Sequence, residues 1–472
     1  MKKEKLIEYE KIYRSVPGLQ DLSQKSIAEK IFESNEDRIV FQTNQYVFAP
    51  VLNGFVVSLL EDAIKKGIKT LYFLARDAYF DYKIAEKYVK AFDLKIECRY
   101  LCVSRLSLRV PLYHRDIEQA LSYITLSGVD VTPEKVINRA GISSDKEEPF
   151  IQKISEYLGI GPNEQIPRHR LGEVKNLLKE DDEFLRILTE NSKSKFDEAI
   201  NYLKEAGFHK KEKIAIVDSG WVGSIQQSLN EFRKCLGVQT PIDGYYYGLY
   251  EIPAGCEEEQ YKSFLFGPRS RIKKKVFFNN CLYECIFSAP HGMTMGYKTI
   301  NGETVPVLSQ ITTRQIEFLN RIERGLEIYQ ENIMAQFSSF SDICRLFNNR
   351  EAQRTIEKAL FSFMSMPSYD EARVFGRLHF SDDVIDYDDA VLATKLTEKD
   401  LIKNHFLMRV FLELREMLFG KRYVVNISGW YEGSVMLYSK PCTIQHHLTA
   451  YKHYKYYLQY SKQRRWIRER EG

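Results

Sequence analysis

The residues of this chain best suited to chemistry fall in a few short segments. The most informative is Lys213 to Leu229, in which an apolar run, Ile214 to Val217, leads into Asp218-Ser219-Gly220-Trp221-Val222-Gly223-Ser224. It reads as a short buried strand, an acid at its carboxyl end, a tight glycine turn and a helix that opens at Ser224. Such a junction can hold an anion, because the first helical N–H groups have no internal partner and the helix dipole adds positive potential. Gly220 and Gly223 let the backbone approach a phosphate without a Cβ in the way. Asp218 stands where the carboxyl end of a parallel strand presents a side chain to a ligand. The plain alternative is an ordinary strand-to-helix turn capped by Ser224.

Two further segments share this grammar. Leu71 to Leu74 is apolar and ends in Ala75-Arg76-Asp77, with a helix from about Ala78. Tyr100 to Val103 ends in Ser104-Arg105, with Arg109 four residues on. If the three runs are parallel neighbours, their polar ends converge on one edge of a sheet. Arg76, Arg105 and Arg109 then supply cations for a polyanion, and guanidinium geometry suits bidentate phosphate contacts. Asp77 and Asp218 suit a divalent metal or sugar hydroxyls. Downstream, Glu284 lies inside the otherwise apolar helical run that begins at Cys281 and ends in the turn Ala289-Pro290-His291-Gly292. A carboxylate there is costly unless paired or functional; a solvent edge or a structural ion pair is its plain account.

The elements that must position these residues follow from periodicity. Residues 47 to 66 read as a helix carrying Val51, Phe55, Val56, Leu59, Leu60 and Ala63 on one face. The alternation of helix and strand from there to Val103 predicts a parallel α/β sheet. Residues 112 to 208 show helical periodicity and no convincing strand. Asp130-Val131-Thr132-Pro133 looks like a helix start, and Asp181 to Ala206 reads as a long amphipathic helix. The sheet resumes at Ile214, with Ile242 to Tyr250 and Tyr261 to Phe266 as further strands. Residues 310 to 420 look almost wholly helical, as in Thr312 to Met334 and Lys399 to Leu418. The expected organisation is an N-terminal helical segment (1–45, with Ser23 to Phe32 as one helix), an α/β core (46–111 with 209–300), a helical insertion (112–208) and a helical C-terminal subdomain (301–472).

Composition bounds the function. A chain of 472 residues exceeds one ordinary core, and a net charge of +4 does not argue for a nucleic-acid partner. The eight cysteines form no CxxC pair, so free thiols in a reducing cytoplasm are expected rather than zinc or a disulfide framework. The N-terminus lacks the apolar core of a signal peptide. The most apolar window, Tyr46 to Leu60, looks too short to span a bilayer and is interrupted by Pro50, Asn53 and Gly54, so no transmembrane helix is expected. The tail from Tyr451 interleaves Lys and Arg with Tyr and Trp. It reads first as a solvated helix with its aromatics packed inward, and second as a basic helix lying on an anionic membrane surface.

The order of these motifs resembles type I phosphoribosyltransferases. In that family one strand ends in a pyrophosphate-binding loop, a second ends near basic residues, and a third carries acids and a loop that holds ribose 5-phosphate. Leu74-Ala75-Arg76-Asp77, Val103-Ser104-Arg105 and Val217 to Ser224 would be these three. The chain departs from the pattern in having a single Asp218 followed by Ser219, a loop about a residue short, and the block 112–208 in place of a flexible loop. A closer resemblance, over roughly residues 45 to 295, is to the C-terminal portion of large bacterial polysaccharide-cluster proteins often described as haloacid-dehalogenase-like, which include ribofuranosyl-phosphate transferases. The haloacid-dehalogenase acid pair itself is not visible: Asp218 lacks the second acid, and Asp386-Tyr387-Asp388 lacks the preceding apolar strand.

The resemblance implies a parallel-sheet, phosphoribosyltransferase-like α/β fold. It implies a cytoplasmic glycosyltransferase that moves ribose 5-phosphate from phosphoribosyl pyrophosphate to a sugar hydroxyl of an O antigen or capsule. Mg²⁺ would be the cofactor, a lipid-linked glycan the acceptor, and a separate phosphatase a companion; work at the inner face of the membrane would suit that acceptor. In this reading Ser219, Gly220, Gly223 and Ser224 hold the 5-phosphate. Arg76, with Mg²⁺ and Asp77, holds the pyrophosphate, with Ser104, Arg105 and Arg109 assisting. Asp218 binds the ribose hydroxyls and stabilises the cationic centre, and Glu284, or failing it His291, takes the acceptor proton. The alternatives are a nucleotide-sugar glycosyltransferase of another α/β fold and a non-catalytic component of a glycan assembly complex.

Overall fold

The computed structural model describes residues 4–28, 30–128, 131–380, 390–419 and 425–471. Asp130 and the Asp386-Tyr387-Asp388 triplet lie outside them. The protein is α/β, built on a five-stranded sheet in which every neighbouring pair is parallel. Parallel strands need crossovers; helices supply them as far as the fourth strand, and an irregular segment with a short 3₁₀ turn at Glu258–Gln260 joins the last two strands. In chain order, helix α1 (Ala49–Lys65) leads into β1 (Thr70–Leu74), and α2 (Tyr79–Ala91) carries the chain to β2 (Glu97–Leu101). The short α3 (Arg105–Arg109) and the long α4 (Asp182–Glu205) bracket the block before β3 (Ile214–Trp221). Helix α5 (Ser224–Cys235) then leads to β4 (Asp243–Leu249) and β5 (Tyr261–Phe266), and α6 (Asn280–Ile286) follows.

The strand order is β2-β1-β3-β4-β5. The chain winds outward from β1 to β2, then returns to lay β3 on the other side of β1. Alternate side chains show that both faces are covered. Leu71, Phe73, Ala215 and Val217 enter the core that also buries Phe80, Ile84 and Tyr88 of α2. Tyr72, Leu74, Ile214 and Ile216 enter the opposite core with Leu229 and Phe232 of α5. The helices that follow β1 and β3 therefore leave to opposite faces, which opens a crevice between the carboxyl ends of these two strands.

Two strand boundaries differ from the sequence reading. β2 runs Glu97–Leu101 instead of Tyr100 to Val103. It is an edge strand whose Glu97 faces solvent, so its first half lacks the apolar run of an interior strand. β3 continues past Val217 to Trp221, because Gly220 and Trp221 stay paired with Gly248 and Leu249 of β4.

Near the N-terminus a helix spans Pro17–Ala28, not Ser23 to Phe32. The helical run Asn35–Lys65 is 31 residues long and apolar enough to cross a membrane by length and composition, contrary to the expectation of a short, broken segment; 78% of its apolar window is buried inside the protein. Pro50 breaks nothing, because it lies in the first turn of α1. The buried Asn53 donates to the Ala49 carbonyl at 2.8 Å and accepts from the Tyr88 hydroxyl at 2.6 Å. What covers this run is distant in sequence. Leu319, Ile322 and Tyr329 of helix α7 (Thr313–Gln336) and Ile356 and Phe363 of the helix Arg350–Ser365 share one core with Val47, Phe48, Leu52 and the sheet. The boundaries drawn at 45 and 300 cut through that core.

Between β2 and β3, the described residues of 112–208 form helices and no strand, with their own core around Leu121, Ile124, Val136, Ile154, Val174 and Leu188. An antiparallel hairpin, β6 (Thr294–Ile300) and β7 (Glu303–Leu308), follows α6. It turns at Asn301 and Gly302, with φ of 53° and 87°, the conformation that Asn-Gly favours in a two-residue turn. Near the C-terminus, α8 (Phe406–Phe419) lies beside α9 (Ile444–Glu471), whose far end returns to the sheet. There the buried Trp466 donates its indole N–H to the Ile252 carbonyl at 3.0 Å. The tail aromatics are not all packed inward, since Tyr456, Tyr457 and Tyr460 face solvent.

Candidate functional site

A cavity of about 370 Å³ opens at the carboxyl ends of β1 and β3. These strands pair as far as Phe73 and Val217. The chain after β1 then leans toward β2, where the Ala75 N–H donates to the Leu101 carbonyl at 2.9 Å. Asp218 is the first residue of β3 beyond the shared ladder, so its side chain faces the opening. Arg76, Asp77, Ser104, Arg105, Arg109, Asp218, Ser219, Gly220, Ser224 and Glu284 all line this one cavity. Gly223 stands at its edge as the residue that caps α5.

The anion-binding features lie along α5 and α3. Gly223, at φ +69°, occupies the N-cap of α5, no side chain caps the helix, and no acid sits in its first turn. The simple Ser224-capped turn is therefore not what forms. Ser224 is the first helical residue, and its hydroxyl accepts from the Arg109 guanidinium at 2.9 Å. Arg109 is only 7% exposed. It packs 3.9 Å from the centroid of the Tyr123 ring and forms no ion pair among the described residues. Burial first, and the neighbouring Arg105 charge second, weaken its hold on the proton. The glycines are required by packing as well as by any ligand: a Cβ on Gly220 would lie 2.5 Å from the Gly248 carbonyl oxygen, and one on Gly223 2.7 Å from the Tyr261 ring.

The acids come from separate elements. Asp218 is 8% exposed. Burial, followed by the charges of Asp77 and Glu284, raises its pKa to about 8, against the opposing pull of the Ser219 N–H and Arg105. Asp77 accepts a hydrogen bond from the Ser219 hydroxyl. Glu284, on α6, accepts from the Trp221 indole N–H at 2.5 Å. Trp221 itself sits at φ +66°, with its ring centroid 5.2 Å from that of Phe278. In the first turn of α2, the buried Asp81 has an Oδ1 with no hydrogen-bond partner. Its pKa is pushed well up by burial and then by Asp77 and Asp218.

Asp77 and Asp218 are the acids that a divalent ion at this cavity could use. Among the described residues, no group of three or more His, Cys, Asp or Glu side chains is arranged to hold a metal. An ion bound at Asp77 and Asp218 would draw most of its ligands from phosphate oxygens and water, as Mg²⁺ commonly does. Its charge would oppose the burial, and after it the acidic neighbours, that raise the Asp218 pKa.

Two expected site residues are differently engaged. The Ser104 hydroxyl is committed to the fold: it accepts from the Ser107 N–H at 3.0 Å, capping α3, and donates to the Thr294 carbonyl at 2.6 Å. His291 does not line the cavity. Its Nδ1 lies 2.9 Å from the Gly292 carbonyl and its Nε2 2.7 Å from the Tyr100 hydroxyl. The first contact assigns the proton to Nδ1, so Nε2 accepts. Burial, with a smaller contribution from Arg76, lowers its pKa and keeps the ring neutral. Reading the sequence also missed contributors. Asp81 lies in the first turn of α2 on a face that is otherwise apolar, a signal that was available. The cavity's use of Tyr123, Glu251 and Pro253 depends on tertiary packing alone. No protein-family model and no curated protein sequence matches this chain.

Proposed function

We propose that this cavity binds phosphoribosyl pyrophosphate and transfers ribose 5-phosphate to a hydroxyl of a bacterial polysaccharide, with a lipid-linked glycan as acceptor. The observation that carries the reading is Arg109, a buried guanidinium with no counter-charge among the described residues, bonded to the first residue of a helix that no side chain caps and sharing a cavity with the buried Asp218 and the half-buried Asp77. A buried unpaired cation is costly, and a phosphate at the start of α5 would offset that cost while accepting the free N–H groups.

In the proposed reaction the start of α5 and Arg109 hold the 5-phosphate, and Arg76 and Arg105 meet the pyrophosphate. Asp77 and Asp218 would hold Mg²⁺, which when bound neutralises charge on the departing pyrophosphate. The bond between C1 of ribose and the pyrophosphate oxygen breaks as the acceptor oxygen bonds to C1. Asp218, ionised in the loaded site, stabilises the positive charge that develops on the ribose. Glu284 takes the proton of the acceptor hydroxyl; its hydrogen bond to Trp221 fixes the carboxylate at the cavity wall. The product would keep its 5-phosphate, so a separate phosphatase would follow. The setting would be the cytoplasm.

The test combines binding with turnover. With Mg²⁺ present, phosphoribosyl pyrophosphate at a hundred times its Kd should stabilise the protein by about 2.7 kcal/mol, read as a rise in Tm, and UDP-sugars should not. Labelled ribose phosphate should then appear on a lipid-linked glycan. Stabilisation by UDP-sugars alone would move the site to nucleotide-sugar transfer. Donor binding with no transfer to any acceptor would favour a non-catalytic role.

A further inference from the structure

We propose that the outer face formed by α8 and α9 docks this protein onto an anionic lipid surface. On α8 the side chains of Leu407, Phe411, Leu414 and Leu418 are 76%, 54%, 49% and 71% exposed. Their spacing of four, three and four residues places them on one stripe of the helix. Single exposed leucines are ordinary, but a continuous apolar stripe marks a surface that is covered in use.

The neighbouring helix identifies the cover. α9 packs against the start of α8 through Phe406 and Tyr457, whose ring centroids are 5.4 Å apart, and through Arg409, 5.2 Å above Tyr454. Tyr456, Tyr457 and Tyr460 of α9 are exposed, and tyrosine favours the boundary between apolar chains and water. Seven Lys and Arg stand against two Glu in α9, so this helix carries more positive charge than the whole chain's net +4. Lys455 is paired with Glu432 and Arg470 with Glu258. Lys462, Arg464, Arg465 and Arg468 are exposed and form no ion pair among the described residues. The apolar stripe of α8, together with the exposed tyrosines and the unpaired cations of the helix packed on it, is complementary to a bilayer with anionic headgroups. A second copy docked through the same patch would bring this cation row against its like.

The geometry also ties this face to the cavity. The end of α9 clamps the segment after β4: Trp466 bonds to the Ile252 carbonyl, and Arg470 to the carbonyls of Pro253 and Cys256. Pro253 lines the cavity. Only this last point rests on the proposed function, since docking would bring the cavity mouth toward an acceptor anchored in that surface.

The experiment is co-flotation of the full chain with vesicles of phosphatidylcholine alone or mixed with phosphatidylglycerol, without donor or acceptor. Binding should favour the mixed vesicles and fall as salt rises. Replacing Leu407, Phe411, Leu414 and Leu418 together with serine should abolish it. Arg464→Glu, Arg465→Glu and Arg468→Glu together should weaken it on the order of a hundredfold, as three surface cations imply. All these residues are exposed, so melting curves should match wild type and separate lost docking from lost folding. Equal binding to both vesicle types, or none to either, would overturn the proposal. So would a dimer in vesicle-free solution that the serine set dissolves, which would assign the face to a second copy. Because no substrate is present, failure here leaves the transfer reaction standing, and failure of transfer leaves docking standing.

Discussion

Asp218 and Arg109 are each unfavourable alone, and that is what makes them informative together. Burial and its acidic neighbours hold Asp218 protonated up to about pH 8. The folded state therefore binds this proton more tightly than the unfolded chain, whose carboxyl has the ordinary value of 3.8. The stability this provides is fully present below the ordinary value and is lost as pH rises toward about 8, with a slope of up to about 1.4 kcal/mol per pH unit. Melting curves of wild type and Asp218→Asn across that window should converge as pH falls and diverge as it rises, with the variant the more stable at the alkaline end. Parallel curves would show that Asp218 is not the group. Under the proposed reaction, Asp218→Asn should lower turnover by about a hundredfold or more while leaving donor binding largely intact. Arg76→Ala should weaken donor binding as well, because pyrophosphate charge is present before the transition state. At this scale the sequence was readable wherever an acid or arginine ended an apolar run, as for Asp77, Arg105 and Asp218. It could not show that the Ser104 hydroxyl, although at the cavity, also caps α3, or that His291 stands outside the cavity, because a hydroxyl that caps a helix and one that faces a cavity have the same letter.

The elements that place these residues follow a simple rule. An apolar run of about five residues flanked by a helical pattern signals an interior parallel strand, and β1, β3 and β4 were legible for that reason, while the edge strand β5 was legible from its aromatic residues. β2 was misplaced by three residues because an edge strand needs only one apolar flank. The hairpin β6–β7 went unread although Asn301-Gly302 between alternating residues is a strong turn signal. The turn before α5 is the element on which the site most depends. Gly223 is at φ +69°, and a Cβ there would meet the Tyr261 ring at 2.7 Å. Gly223→Ala should therefore destabilise the fold by about 1–3 kcal/mol through backbone strain and overpacking. It should also reduce donor binding, since α5 can no longer start where it does. Chemical denaturation and donor titration measure the two effects. A fully stable Gly223→Ala protein would mean that the left-handed turn is not required.

At the scale of the whole molecule, the sequence concealed how far apart the partners in one core lie. Residues 35 to 65 form an apolar helical run that satisfies the length and composition of a membrane span, yet the molecule buries it. Its cover is α7 and the helix Arg350–Ser365, roughly 270 to 310 residues downstream by the numbering. No local pattern announces such pairing, which is why a boundary at residue 300 looked reasonable. The consequence can be tested by cutting the chain there. A fragment of residues 1–300 keeps all five strands of the sheet and every residue that lines the cavity. It loses Leu319, Ile322, Tyr329, Ile356 and Phe363, which pack on Val47, Phe48 and Leu52. Each of those buried apolar contacts is worth on the order of 1.5–3 kcal/mol per side chain, against a total stability of about 5–15 kcal/mol for an ordinary domain. The fragment should therefore lack a cooperative melt, bind a hydrophobic dye and aggregate, although every residue lining the cavity is present. Adding back residues 301–472 as a separate chain should restore a cooperative transition if the shared core is what was missing. A fragment that melts cooperatively by itself, and binds donor with the affinity of the full chain, would instead establish two independent domains joined near residue 300.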